Sequence, residues 1–414
     1  MKKFLGVFVF LCALIALSLL VLLRSGLFDS VPGDRFPVPA AASAAPLSPA
    51  DTSTTPVHMT PDPTAEPSAE PTPEPTPEAE PESFILSFIG DLTLTSHQYS
   101  SDYETKMNGD YSYPFSNTVQ YFADDEYTIA NLECTLSDQW LSSIQTFYFR
   151  APTAAANILI EGGVDFVTTA NNHADDFNKA GKLDTWAALE EYGIDFGKND
   201  EAKIVTTPNG LRLGIYCQYN NAYGDYRPDE DKAVAGIRAL KEQDPDLIIC
   251  AFHMGVELQY HPEVTTPETA RICRRCIDEG ADIIYGCHPH CLQPIEEYND
   301  GLIMYSVGEF TFGGHTFPTD QDTAIVQVSV ERRADGKISV AGYSIIPCCV
   351  SSRPVYEEAY KLGVRGKNQD YNDYRPTPYE EGTEDYYRAL AKITGTYDGP
   401  DGQANYGSWH EQHQ

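Results

Sequence analysis

Carboxylates, amides and imidazoles recur along this 414-residue chain in short clusters, each at the end of an apolar run. The clusters are Gly90-Asp91, Asn131-Leu132-Glu133, Asn171-Asn172-His173, His253 and His288-Pro289-His290. Together they make a mixed oxygen and nitrogen ligand set for divalent metal. Singly they say little, because Asp after Gly is commonly a turn residue, an isolated Glu a helix-start acid, and a lone His at a strand end a structural one. Asn171-Asn172-His173 is more telling, since two amides and an imidazole are poor choices for a core or a helix. An amide oxygen ligates hard cations, and the adjacent His173 can serve as general acid or base. In His288-Pro289-His290, extended backbone held by Pro289 would project both imidazoles to one side. Glu133 is placed to bridge two cations, and a pair about 3.5–4 Å apart would clamp a phosphoryl or similar group and generate hydroxide.

The elements that carry these residues read as alternating strands and helices. Phe84–Ile89, Leu247–Phe252 and Ala281–Tyr285 have the unbroken apolar character of buried parallel strands. In an open α/β sheet, ligands bind just beyond the carboxyl ends of such strands. The pattern predicts helices over residues 153–162, 180–192, 229–243 and 266–280. The last has Thr265 or Thr266 to cap it, Pro267 in the first turn and Glu268 at its amino end. Asn209-Gly210 and Asp335-Gly336, each between two apolar runs, predict hairpins. The fold class is therefore α/β with a mixed sheet system, βα units first and hairpins later.

The segment Asn171 to Gly181, with Asp184-Thr185 and Tyr192 to Gly197, resembles the CapA family of capsule or poly-γ-glutamate synthesis proteins. So do His253-Met-Gly-Val-Glu257, Gly286-Cys-His-Pro-His290, Gln293-Pro-Ile-Glu296 and Tyr305-Ser-Val-Gly-Glu-Phe310, together with Gly90-Asp91 and Asn131-Leu-Glu133. The resemblance covers residues 84–347. It implies a four-layer α-β-β-α sandwich like that of calcineurin-like metallophosphoesterases, with two divalent ions (Mn, Zn or Fe). By position it implies Asp91, Glu133, Asn172, His253, His288 and His290 as ligands, His173 as the acid/base residue and Asp176 as its neighbour. The chain departs from the pattern in four places: Thr93 where a His is usual, Met254 for Trp, Glu309 for Asn, and Asn178 for Gly. Asn178 suits its place because Asn tolerates left-handed backbone. The missing His leaves one metal site a ligand short unless His97 or water substitutes.

The rest of the chain sets the context. Residues 4–23 carry no charge, behind Lys2 and Lys3. Length and charge bias predict a transmembrane anchor over residues 1–30, with the remainder extracytoplasmic. A cleaved signal peptide is the competing reading. Residues 31–82 are rich in Pro, Glu and Ala and predict a disordered spacer, followed by the catalytic-type domain at 83–355 and an acidic, Tyr-rich tail at 356–414. A net charge of −33 argues against a nucleic-acid partner. The partners that the resemblance implies are a capsule or cell-wall polymer and other capsule synthesis proteins. Of ten cysteines all but Cys12 lie beyond the apolar span, and buried thiols are the expectation, with disulfides open. Three functions remain at this point: a metal-dependent hydrolase of capsule or polyglutamate assembly, a non-catalytic subunit whose pocket binds polymer, or a generic phosphoesterase.

Overall fold

The computed structural model describes residues 82–399 apart from 144–145, 223, 263–265, 317 and 353–371. The chain divides into two units, Met1–Thr76 and Pro77–Gln414. The expected anchor, and the spacer up to residue 81, lie outside the described residues.

From the amino end run β1 (Ser83–Thr93), α1 (Asp102–Met107), β2 (Tyr127–Leu132), β3 (Thr135–Leu136), β4 (Arg150–Ala151), α2 (Ala156–Glu161) and β5 (Phe166–Thr168). Then come α3 (Asn178–Tyr192), β6 (Asp195–Gly197), β7 (Glu201–Thr206), β8 (Arg212–Tyr219), α4 (Glu230–Lys241), β9 (Leu247–His253) and α5 (Pro267–Glu279). The chain continues through β10 (Ile283–Cys287), β11 (Ile295–Tyr298), β12 (Gly301–Met304), β13 (Glu309–Phe312), β14 (Asp322–Arg332), β15 (Ile338–Cys349), β16 (Thr377–Pro378) and α6 (Glu384–Ile393).

Two mixed sheets result. The first runs β16-β15-β14-β1-β2-β5-β6, with β13 also paired to β1, and the second β11-β12-β10-β9-β8-β7. Parallel pairing joins β1, β2, β5 and β6 in one sheet and β8, β9, β10 and β12 in the other. The two predicted hairpins are present as β7–β8 and β14–β15, and their turn glycines, Gly210 and Gly336, take φ of 90° and 84°.

Burial explains the strand sequences. Every residue of β9 is buried, as a strand covered on both faces requires. Between the sheets, Leu86, Phe88, Val326 and Val328 meet Leu213, Ile215, Ile249 and Ile283. Behind the first sheet, Ile89, Ala130 and Val167 pack on Ile158 and Leu159 of α2 and Ala188 and Leu189 of α3. Behind the second, Ile248, Cys250 and Ile284 pack on Ile237 of α4 and Cys273, Cys276 and Ile277 of α5. The order is thus helix, sheet, sheet, helix. Each Leu, Ile, Val or Phe side chain so buried contributes about 1.5–3 kcal/mol relative to exposure.

The sequence reading is corrected at the carboxyl end, where residues 372–399 are part of this body and not a separate tail. β16 pairs with β15, Tyr374 is buried with its hydroxyl on Asp102 at 2.8 Å, and α6 packs Ala389 and Ile393 into the intersheet core. The buried face of α6 also carries Arg388 and Lys392. Arg388 donates to both Asp322 oxygens at 2.8 and 2.6 Å, and Lys392 to Asp320 and Asp322 at 2.7 Å each. The acidic average of this stretch hides a basic, apolar helix face built to neutralise the buried acids at the start of β14.

The nine cysteines from Cys134 to Cys349 are all buried free thiols. Thr266 precedes α5 as expected, but its hydroxyl donates to the Pro262 carbonyl and accepts from no helix amide. Among the described residues, no helix is long and apolar enough to cross a membrane.

Candidate metal centre

The chemical clusters converge at the carboxyl ends of the parallel strands of both sheets. The first sheet brings Asp91 near the end of β1, Glu133 just after β2, and Asn171, Asn172 and His173 after β5. The second brings His253 as the last residue of β9, and His288 and His290 after β10. Two groups of donors result, Glu133 with His253 and His288, and Asp91 with Glu133 and His290, the donor atoms of each within 4.8 Å of one another. Glu133 belongs to both. Its Oε1 stands 3.8 Å from His253 Nε2 and 3.9 Å from His290 Nε2, while His290 Nδ1 is 3.5 Å from Asp91 Oδ2.

Local backbone explains the convergence, and differs from expectation at two points. Gly90 makes no turn; β1 runs through it, and a Cβ there would meet the Gly308 carbonyl oxygen at 2.0 Å. Glycine is needed for that close approach, which lets the Asp91 amide donate to the same carbonyl at 3.0 Å. The His288-Pro289-His290 segment is not extended. His288 and His290 have φ of 104° and 51°, so two left-handed residues, and not a strand pleat, aim the imidazoles. Such backbone costs on the order of 1–3 kcal/mol per residue and persists where surroundings impose it, commonly at functional sites.

A network of amides holds the carboxylates. Asn131 Nδ2 donates to Asp91 Oδ1 at 2.8 Å and to Glu133 Oε2 at 3.2 Å, and Asn171 Nδ2 donates to Asn131 Oδ1 at 3.0 Å. Asn172 Oδ1 lies 2.7 Å from His253 Nε2, so this residue too faces the cluster. His173 Nδ1 is 2.8 Å from Asp176 Oδ2, the oxygen that also accepts from the Phe149 amide at 2.7 Å. Asp176 is wholly buried and fixes the ring.

Electrostatics mark the cluster as short of positive charge. Burial pushes the Asp91 carboxyl up to about 7, against the hydrogen bonds from Asn131 and His288. Burial, with Asp91 and Glu309 nearby, pushes Glu133 well above the carboxylate range. Burial and the neighbouring imidazoles lower His253 and His290 well below the usual histidine value, and burial takes His288 down to about 3. Glu133 Oε1, His288 Nδ1 and His290 Nδ1 are buried and, among the described residues, have no hydrogen-bond partner. Neutral imidazoles, carboxylates that ionise at a cost, and unpartnered donor atoms aimed together fit divalent cations, which would supply what these groups lack.

Other residues were not picked out from the sequence as site groups. Asn131 was noted only as part of its motif, yet it ties both carboxylates together. Glu309, seen only as a departure, is buried with Oε1 3.4 Å from His290 Nδ1 and 2.6 Å from His315 Nδ1. His315 offered no sequence signal. At the position of the missing His, the Thr93 hydroxyl donates to the Glu133 carbonyl at 2.9 Å. His97 belongs to neither donor group; its Nδ1 accepts from the Tyr99 amide at 3.1 Å. Asn178 takes φ of 59°, the left-handed backbone anticipated for it.

A family model, bacterial capsule synthesis protein PGA_cap, matches residues 85–314. The capsule biosynthesis protein CapA of Bacillus anthracis is 26% identical over 290 residues, 63% of this chain and 67% of that protein. The PGA biosynthesis protein CapA of Bacillus subtilis (strain 168) is 24% identical over 278 residues, 63% of this chain and 71% of its own. Among solved structures, the NAD nucleotidase of Haemophilus influenzae matches at a TM-score of 0.38 and 12% identity, covering 76% of this chain and 67% of that one. With the family match spanning more than half of its residues, this chain belongs to the bacterial capsule synthesis family PGA_cap.

Proposed function

We propose that the protein is a metal-dependent hydrolase of capsule or poly-γ-glutamate assembly, related in chemistry to calcineurin-like metallophosphoesterases. The observation that carries this reading is the pair of buried donor groups sharing Glu133. Asp91, Glu133 and His290 would hold one ion, and Glu133, His253, His288 and Asn172 the other. Two such ions, Mn, Zn or Fe, polarise a substrate oxygen and activate water when bound. The protein's own groups do the rest. Asp176 holds the His173 ring by its Nδ1, leaving Nε2 to pass a proton to a leaving group. Asn131 keeps the two carboxylates in register, and the buried walls of the cluster limit water.

The alternative is a non-catalytic subunit whose pocket binds polymer. Its specific support is Thr93, whose hydroxyl is committed to a backbone carbonyl, leaving the Asp91 group with three side-chain donors. The generic phosphoesterase remains as a third reading. Metal analysis of the purified protein, with hydrolysis assays on phosphoesters and on polyglutamate, separates them. The expected result is bound Mn, Zn or Fe that falls in the His288→Ala/His290→Ala double variant, together with hydrolysis abolished by chelation. Bound metal without hydrolysis of either substrate favours the binding subunit, and unchanged metal in the double variant removes the site.

The uncharged run over residues 4–23, behind Lys2 and Lys3, supports placing the domain outside the cytoplasm on an uncleaved anchor. The partners proposed are the capsule polymer and the proteins that make it. A carboxyl-terminal reporter active only in the cytoplasm would overturn this topology.

A further inference from the structure

Beside the donor groups stands an aromatic residue that neither of them uses. Tyr226 lies on the loop between β8 and α4, and its ring covers the His288 imidazole, with centroids 4.2 Å apart and planes tilted by 45°. It meets His253 edge-on at 6.5 Å and Tyr219 at 5.7 Å. Its backbone is left-handed, φ 51°, which a bulky side chain adopts only under restraint. The loop supplies the restraint. Asn220 Nδ2 donates to the Arg227 carbonyl at 3.1 Å, the Ala222 amide donates to Asn220 Oδ1 at 3.1 Å, and Arg227 pairs with Asp225 at 3.7 Å.

Packing on His288 accounts for the ring but not for the hydroxyl, because phenylalanine would pack as well. The Tyr226 side chain is only partly exposed, yet among the described residues its hydroxyl takes no hydrogen-bond partner. A phenol held this way is a rigid donor with few rotatable bonds. Burial, with Glu257 and Glu133 nearby, holds it above the usual tyrosine range, so it keeps its proton at neutral pH. A hydrogen bond to an anion is also roughly twice as strong as one between neutral groups.

We propose that Tyr226 is a substrate-contact residue, whose hydroxyl donates to an anionic oxygen, phosphoryl or carboxylate, held on the Glu133–His253–His288 side of the centre. The assignment rests on reading the cluster as a cation centre. It adds to that reading the class of group the site grips and the residue that grips it from outside the cation ligands.

The test compares the full-length wild-type protein with Tyr226→Phe, each loaded with Mn²⁺ and desalted. Calorimetric titrations use orthophosphate and, separately, acetate. Phenylalanine keeps the ring on His288 and removes only the hydroxyl. The expected result is unchanged Mn content with a Kd for one anion raised roughly tenfold, and the anion affected identifies the oxygen gripped. Equal Kd values in both proteins overturn the assignment, as does loss of Mn from the variant, which would make Tyr226 a packing residue. Wild-type protein that holds Mn but binds neither anion also overturns it, leaving the cation centre standing. Wild-type protein that holds no Mn overturns the underlying reading as well.

Discussion

His173 and Asn172 are neighbours with different contacts, and the roles proposed for them differ measurably. Asn172 faces His253, whereas His173 turns its Nδ1 away to Asp176. His173→Gln is expected to lower turnover by about 10²–10⁴-fold with metal content nearly constant, as for a proton donor needed mainly in the transition state. Asn172→Ala is expected to lose metal first. Capsule output that survives His173→Gln but not Asn172→Ala would favour the binding subunit. The same cluster sets a pH dependence. Asp91 stands at about 7 in the cation-free fold against 3.8 ordinarily, so it adds stability that is full below 3.8 and lost as pH rises through 7. Glu133, also raised, acts in the same direction. His288, lowered from 6.5 to about 3, adds stability above 6.5 that is lost toward 3, so it opposes the carboxylates only in acid. Above 6.5 the raised carboxylates and His315, held up by Glu309, act in one direction. Thermal melts in chelator should show stability falling as pH rises from 6.5 through about 7, and cation loading should abolish the fall, because cations bind the deprotonated groups. A flat profile in chelator would count against uncompensated carboxylates at the site.

At the scale of elements, α6 is held by charge as much as by apolar packing. Burial pushes the Asp322 carboxyl up, but Arg388 and Lys392 outweigh it and keep Asp322 below the usual range. Lys392→Met leaves two buried carboxylates short of a cation and should cost about 3–5 kcal/mol in urea unfolding, much of it recovered in Asp320→Asn/Lys392→Met. No recovery would mean that the charges do not act as a unit. Gly90→Ala, which drives a methyl group against a backbone oxygen, should cost about 1–3 kcal/mol and lower metal content through Asp91. These elements also show what the sequence discloses. The buried strands β9 and β10, helices α2 to α5 and both hairpins were legible, since period and turn residues are local properties. The packing of α6 was not, because its basic face is meaningful only beside Asp320 and Asp322, far away in the chain. The types of the converging donor groups were legible from their positions at strand ends. The left-handed geometry of His288 and His290, the bridging amide of Asn131 and the contact of His315 with Glu309 were not, because they depend on neighbours that no spacing announces.

At the scale of the whole molecule, burial governs reactivity. The nine thiols from Cys134 to Cys349 should stay silent toward a thiol reagent in the native protein and titrate together in denaturant. Fast reaction of any one of them would show an opening that the packing does not predict. If the centre holds cations as proposed, they and the fold are joined more tightly still. Glu133 stands on one sheet, and both imidazoles of one of its groups stand on the other. Neither sheet can retain that ion alone, so metal release in urea should coincide with global unfolding, and release well before it would break the link. On the proposed reading, cation uptake would be the closing step in the making of this protein. Its ions would then be drawn from whatever surroundings it occupies when its two sheets meet.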